Sequence, residues 1–435
     1  MLVVLPSLYR LSGVATWLDY VVPGIEARGW GVTVGLTRGR FHDASKYLAE
    51  HPFEHAVTFE SRTGTREGRV RALCEAIGAN PFDLVVVVEV PDALEAMARL
   101  RRRFTKAPRL VMAIHNIVPG FFEDMRRFRH VLDGVVGTSR LACALAREVG
   151  SIEASRVWYA PYGVKLPGEE RREFPLRRQR VLYAGRLERA QKRVQDLPAI
   201  LDEADRRGIP VELAIAGNGS EENGLRARLS DRIARGQVRF LGALPGDRMI
   251  TEAYGPADVL LVTSQWETGP IVLWEGAASG LAIVTSAYTG CRAEGSLRDG
   301  ENCLMYPVGD VGSAAACLER TADPELRCRL AREGRALVAV RYSRDVSVNL
   351  WDEALTAVVG RDKVQRGGFT PWNEPVGRLD RLLGPGLGET VRELLRRRYP
   401  HQWAGEEWPY YYGSQPTHEA KFWEFAEGLE RLALE

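Results

Sequence analysis

The chain has 435 residues, long for one domain and suited to two or three at roughly 150 residues each. Its 59 basic and 57 acidic side chains leave a formal charge of +2, without the basic excess of a nucleic-acid binder. With 45% apolar and 27% charged residues, the composition is globular with a sizeable core, which excludes wholesale disorder and a disulfide scaffold.

The first candidate strand, Leu2 to Leu5, opens an alternation of short apolar runs and amphipathic segments that continues to about residue 360. Strands are expected next at Val32 to Leu36, Leu84 to Val88, Leu110 to Ile114 and Gly134 to Gly137. Helices are expected at Val14 to Arg28, Arg66 to Ile77, Asp92 to Phe104 and Arg140 to Val149, with Pro91 suited to a first helical position. A join follows between Pro161 and Arg178, where Pro161, Gly163, Pro167, Gly168 and Pro175 interrupt any periodicity. The second half repeats the plan, with strands at Arg180 to Ala184, Val211 to Ala216, Val238 to Leu241, Val259 to Thr263 and Ala282 to Thr285. Its helices are expected near Val194 to Arg207, Glu221 to Arg235, Ile271 to Ser279, Val311 to Thr321 and Pro324 to Val340.

Such alternation defines βαβ units and parallel sheets. The expectation is an α/β chain of two Rossmann-like domains, 1–165 and 166–360, facing across a cleft at the carboxyl ends of their strands. Residues 361–435 differ: they hold Trp372, Trp403, Trp408, Trp423 and the run Tyr410-Tyr411-Tyr412, punctuated by Gly367-Gly368 and Gly384-Pro385-Gly386. This extension is expected to pack aromatic side chains on the body and to end in a helix around His418 to Leu432. The other reading is an acceptor-binding or oligomer surface.

The longest aliphatic run, Leu84 to Val88, is far too short to cross a membrane, and the start lacks the basic residue and long apolar region of a secretory signal. Six cysteines show no C-x-x-C pair or zinc-like spacing. These features point to a cytoplasmic protein with reduced thiols. The basic cluster Arg99, Arg101, Arg102, Arg103 and Lys106 reads either as solvated surface or as contact with anionic head groups at the inner membrane face.

The most informative stretch runs from Ser264 to Gly280. Glu267 and Glu275 bracket a helix start at Gly269-Pro270, with seven residues between them. If helical throughout, the segment would separate them by about 12 Å. That gap suits one long ligand with a carboxylate at each end and its anionic middle near exposed backbone N–H groups. Arg186 and Lys192 follow the first strand of the second half, and two cations beside a helix N-terminus can hold a diphosphate without a divalent metal. The plainer alternatives are a helix cap with one polar face and a solvated basic loop.

Together these pieces resemble the retaining family 4 glycosyltransferases of the two-domain GT-B fold. The resemblance covers about residues 10 to 358. It rests on Leu11-Ser12-Gly13-Val14, His115-Asn116, Val136-Gly137-Thr138-Ser139, Tyr159 to Val164, Gly185-Arg186 with Lys192, Ala216 to Gly219, and the Glu267–Glu275 pair before Ala277-Ala278-Ser279-Gly280. It implies that Arg186 and Lys192 hold the donor diphosphate, that Glu267 meets the donor sugar and that Glu275 meets the ribose. Thr268, Gly269, Pro270 and Ile271 would line the donor pocket. Gly13 would admit the phosphates closely, and His115 would bond the donor sugar across the cleft. The chain departs from the family at Arg193, where glycine is usual, at Thr268-Gly269-Pro270, and at Thr289 to Glu294.

The function implied is a retaining hexosyltransferase using a UDP- or GDP-sugar and a hydroxyl acceptor, whether glycan, lipid-linked or small molecule, and lipid-linked or anionic chemistry would suit it. The alternatives are a non-catalytic nucleotide-sugar or glycan binder and a nucleotide-sugar epimerase or hydrolase. No Asp-x-Asp, P-loop or G-x-S-x-G occurs, and Pro52 separates His51 from His55, so no metal or cofactor is expected.

Overall fold

Each stretch of alternating strands and helices builds its own parallel sheet in the computed structural model, which describes residues 1–8, 12–168, 179–364, 377–412 and 416–432. Leu11, Pro175, Gly367, Gly368 and Trp372, singled out in the sequence, lie outside the described residues, as does the side chain of His418. The chain divides into two compact units, Met1–Ala160 with Val348–Trp423 and Pro161–Ser347 with Glu424–Glu435.

In the first unit the strands are β1 (Leu2–Leu5), β2 (Thr33–Arg38), β3 (Ala56–Glu60), β4 (Leu84–Val88), β5 (Arg109–Ile114), β6 (Gly134–Gly137) and β7 (Val157–Tyr159). They lie in the order β3-β2-β1-β4-β5-β6-β7. All pairs are parallel. Every residue of β4 is buried, as a central strand covered on both faces requires. The second unit holds β8 (Gln179–Ala184), β9 (Val211–Ala216), β10 (Val238–Gly242), β11 (Val259–Val262), β12 (Ala282–Ser286) and β13 (Leu304–Tyr306), ordered β10-β9-β8-β11-β12-β13. Alternate residues of β8 feed opposite cores, Val181 and Tyr183 on one face and Leu182 and Ala184 on the other.

Three strands, β3, β7 and β13, are absent from the sequence reading. In β3 only Phe59 is buried, so no apolar run marks it, and β7 and β13 are three residues each. The helix expected over Glu221 to Arg235 is two short helices, Glu222–Arg228 and Ser230–Ala234, parted at Leu229. The helices Ala44–Glu50 and Arg344–Val359, and the kinked helical segment Arg378–Leu394, are also absent from the sequence reading. The chain returns to the first unit at Val348, before the expected boundary at 360, because Trp351, Ala354, Leu355 and Val358 are buried there.

The extension packs on the first unit through polar groups as much as through aromatics. Glu407 accepts the backbone N–H groups of Arg40 and Phe41 at 2.6 and 2.7 Å, and Trp408 donates from Nε1 to Arg38 O. Tyr399 N donates to Thr63 O, and His401 Nε2 bonds Gly64 O at 2.7 Å. Tyr412 Oη donates to Asp92 at 2.5 Å and accepts from Arg69 at 2.7 Å, while Arg66 lies over its ring. The extension therefore lies across the carboxyl ends of β2, β3 and β4.

Tyr412 N also donates to Asp124 Oδ2 at 3.1 Å, whereas Asp124 Oδ1 has no hydrogen-bond partner among the described residues. Burial pushes this carboxyl up from 3.8 to about 8, against the pull of the Tyr412 N–H, Arg66 and Arg127. A folded-state value above the unfolded one gives stability that is full below about pH 4 and is lost as pH rises through about 8. Asp124→Asn keeps the bond to Tyr412 and is expected to flatten the fall of Tm across that window relative to the parent chain. Parallel Tm–pH curves for the two proteins would disprove the assignment.

The basic cluster is not one surface. Arg101 is buried, donating to Pro108 O, Val131 O and Asp133. Arg99 is held by Glu67 at 2.7 Å and Glu95 at 2.5 Å. Only Arg102, Arg103 and Lys106 are exposed, which corrects the reading of all five as a contact patch. All six cysteines are free thiols. Among the described residues, no helix is long and apolar enough to cross a membrane.

Candidate functional site

In a doubly wound parallel sheet, loops diverge where the strand order reverses, and the crevice beyond the carboxyl ends of those two strands binds ligands. In the second sheet that point lies between β8 and β11. The loop after β8 carries Arg186 and Lys192; the loop after β11 carries Glu267. Glycine makes the first loop possible. A Cβ on Gly217 would stand 1.9 Å from Gly185 O, and one on Gly219 would stand 2.3 Å from Leu187 O. With φ of 137° and 159°, these two glycines let the loops after β8 and β9 lie backbone to backbone. The Gly217-Asn218-Gly219 run is thus a packing device.

Five side chains meet at this edge. Lys192 Nζ donates to Glu267 Oε1 at 2.5 Å, and both side chains are largely buried, at 14% and 6% exposure. Ser264 Oγ donates to the same oxygen at 2.5 Å. Gln191 connects the pair to the second cation: its Nε2 donates to Trp266 O at 3.1 Å and Glu267 Oε2 at 3.4 Å, while its Oε1 accepts from Arg186 at 2.6 Å. Glu188 fixes the loop by accepting the N–H groups of Ala190, Gln191 and Lys192. Thr263 Oγ1 ties it to β11 through Lys192 O. The result is an exposed guanidinium and a buried ammonium–carboxylate pair on one rigid loop pair.

The segment between the glutamates is not helical throughout. Gly269 has φ of 80°, and the helix runs only over Ile271–Ala278 with Pro270 as its N-cap. The 12 Å separation estimated for a continuous helix therefore does not apply. Glu267 turns toward Lys192, while Glu275 accepts from Tyr254 Oη at 2.8 Å. Burial raises the Glu275 carboxyl above its ordinary range, opposed by the Tyr254 bond and by Arg344. Thr268 is buried between the two.

Two departures from the family pattern gain a physical account. Arg193 takes φ of 49°, a left-handed conformation that glycine adopts freely, and its guanidinium is held by Asp196 at 2.8 Å. After β12, the short helix Cys291–Glu294 has its Arg292 and Ala293 N–H groups occupied by Glu430, at 2.8 and 3.1 Å.

In the first unit, Gly13 is the first residue of the helix Gly13–Glu26 that follows β1, with Ser12 as N-cap accepting from Ala15 N. His115 follows β5 directly and is buried, with the Trp17 ring at 4.6 Å and the Trp351 ring stacked at 6.2 Å. Burial lowers its imidazole to about 3, so it is neutral at physiological pH. Gln191, Ser264, Glu188, Tyr254 and Glu430 were missed in the sequence. Gln191 adjoins Lys192 and was findable as the one amide in that loop; the others carry no local signal.

Residues 169–337 match the family described as Glycosyl transferases group 1. The lipopolysaccharide core biosynthesis glycosyltransferase LpsE of Rhizobium meliloti is 32% identical over 151 residues, which cover 34% of this chain and 42% of LpsE. A phosphatidyl-myo-inositol mannosyltransferase of Mycolicibacterium smegmatis is 34% identical over 156 residues, covering 35% of this chain and 39% of the relative. The chain thus spans less than half the length of these curated relatives. Anabaena HepE, solved with UDP and glucose, aligns over 82% of this chain and 99% of its own, with a TM-score of 0.66 at 18% identity. The chain has a GT-B-like α/β fold, with two parallel sheets of Rossmann-like type.

Proposed function

We propose that the chain is a retaining hexosyltransferase of the family 4 type, which moves a hexose from a UDP- or GDP-sugar to a hydroxyl acceptor. The observation that carries this reading is the Lys192–Glu267 pair joined through Gln191 to Arg186 at the switch point of the second sheet. In the reaction the bond between the anomeric carbon and the diphosphate oxygen breaks, and the acceptor oxygen bonds that carbon on the same face. The acceptor proton passes to the departing diphosphate. Positive charge develops on the sugar ring and negative charge on the diphosphate. Arg186 and Lys192 stabilise the second, with the N-terminal N–H groups of Ile271–Ala278 beside them, and Glu267 bonds the sugar hydroxyls. The two cations supply the charge neutralisation for which other nucleotide-sugar enzymes use a divalent metal, so a chelator should leave turnover unchanged.

Donor choice is read by thermal shift. A donor at 100 times its Kd should stabilise the fold by about 2.7 kcal/mol. HepE was crystallised with UDP and glucose, which makes UDP-glucose the first donor to test, followed by GDP-sugars. Silence from every nucleotide sugar would overturn the donor class, and binding without transfer would favour a non-catalytic binder.

Glu275 is the ribose partner in this reading. Replacing it by Gln preserves the bond to Tyr254 and is expected to weaken UDP or GDP binding by about tenfold, the scale of a hydrogen bond to a charged group. Titration calorimetry showing unchanged affinity would remove Glu275 from the site.

A further inference from the structure

The segment Arg378–Leu394, two helical pieces joined at a kink where Gly384 takes φ of 76°, is turned inside out. Its acidic residues face the protein: Asp380 and Glu389 are buried, with Thr65 donating to Glu389 at 2.5 Å and Arg392 reaching Asp380 at 2.6 Å. Its leucines face solvent. Leu382 is 81% exposed, Leu387 64% and Leu394 78%, and Leu387 and Leu394, two turns apart, share the side opposite Gly388, Glu389 and Arg392. Seven of the eleven exposed large apolar side chains among the described residues fall between Leu382 and Trp403, so the exposure is concentrated in one stretch of chain and not scattered.

Along residues 378–403 the exposed charges have one sign. Arg378, Arg381, Arg396, Arg397 and Arg398 are exposed between residues 378 and 403, and no aspartate or glutamate there is. Arg398 lies 3.5 Å from Glu60, and Glu393 is half-buried against Arg71. Tyr399 and Trp403, the aromatic types that settle at head-group level, complete the patch.

We propose that this face docks on an anionic lipid bilayer, the leucines entering the head-group boundary and the arginines pairing with lipid phosphates. A second copy of the chain fits less well, since a two-fold contact would set the same arginines against one another. The inference does not depend on the donor reading, because binding to vesicles is measured without sugar transfer.

The test is flotation of the full chain with vesicles of phosphatidylcholine alone and of phosphatidylcholine mixed with phosphatidylglycerol. Binding is expected only to the anionic vesicles and should weaken with salt. Arg396→Ala with Arg397→Ala should weaken it by about 30-fold, at about fivefold per arginine. Leu387→Asp with Leu394→Asp, both at exposed positions, should abolish it while thermal unfolding stays unchanged. The proposal is overturned by absence of flotation with anionic vesicles, by undiminished binding of either double variant, or by a dimer in sedimentation equilibrium that the Asp variant splits and that binds no lipid.

Discussion

Lys192→Ala is expected to lower turnover in the proposed transfer by at least ~100-fold, with Arg186→Ala comparable, the scale of losing one preorganised charge contact at a departing anion. The two variants differ in what else they disturb. Lys192 partners a carboxylate whose side chain is only 6% exposed, so its removal leaves Glu267 buried without a counter-ion, a loss on the order of 3–5 kcal/mol in stability. Turnover of Lys192→Ala must therefore be measured on protein shown to be folded by circular dichroism. Arg186 is exposed and bonds Gln191, so its alanine variant should fold normally and report chemistry alone. A folded Arg186→Ala enzyme with near-parental kcat would sink the diphosphate assignment.

Asp92→Ala should cost about 3–5 kcal/mol, because it strips the counter-charge from a buried guanidinium. Asp92 is fully buried, Arg69 is 4% exposed and 2.7 Å from it, and Tyr412 donates to its other oxygen. The variant leaves Arg69 charged in a buried site and removes the carboxylate that accepts from the Tyr412 hydroxyl. Urea unfolding would show a lower midpoint, and proteolysis should begin in the extension. A loss under about 1 kcal/mol would mean that Asp92 does not hold the extension in place.

The central strands and the charged residues beyond their carboxyl ends were legible in the sequence for the same reason. Buried parallel strands such as Leu84–Val88 must be continuously apolar, and the loops that follow them keep the charged residues a ligand needs, as at Arg186, Lys192 and Glu267. Strand β3 was not legible because an edge strand buries one side chain in five. The hydrogen-bond partners of those charged residues were missed; among them only Gln191, the one amide in the Lys192 loop, carried a local signal. Ser264 lies in the same stretch as Glu267, but nothing local marks a serine as a carboxylate's donor.

Local pattern thus determined the fold class, the two repeated α/β halves and the charged residues at the strand ends, since apolar period and strand-end charge are properties of short segments. Tertiary structure decided what distant segments do to one another. It paired Lys192 with Glu267 across 75 positions, removed Arg101 from the surface by giving it Asp133, and seated Tyr412 on Asp92 across 320 positions. It also turned the leucines of Arg378–Leu394 outward, which their sequence spacing alone could not reveal. Whether a charge is spent inside or left to meet a partner depends on which side chain the chain's return brings opposite it, and no local window contains that information.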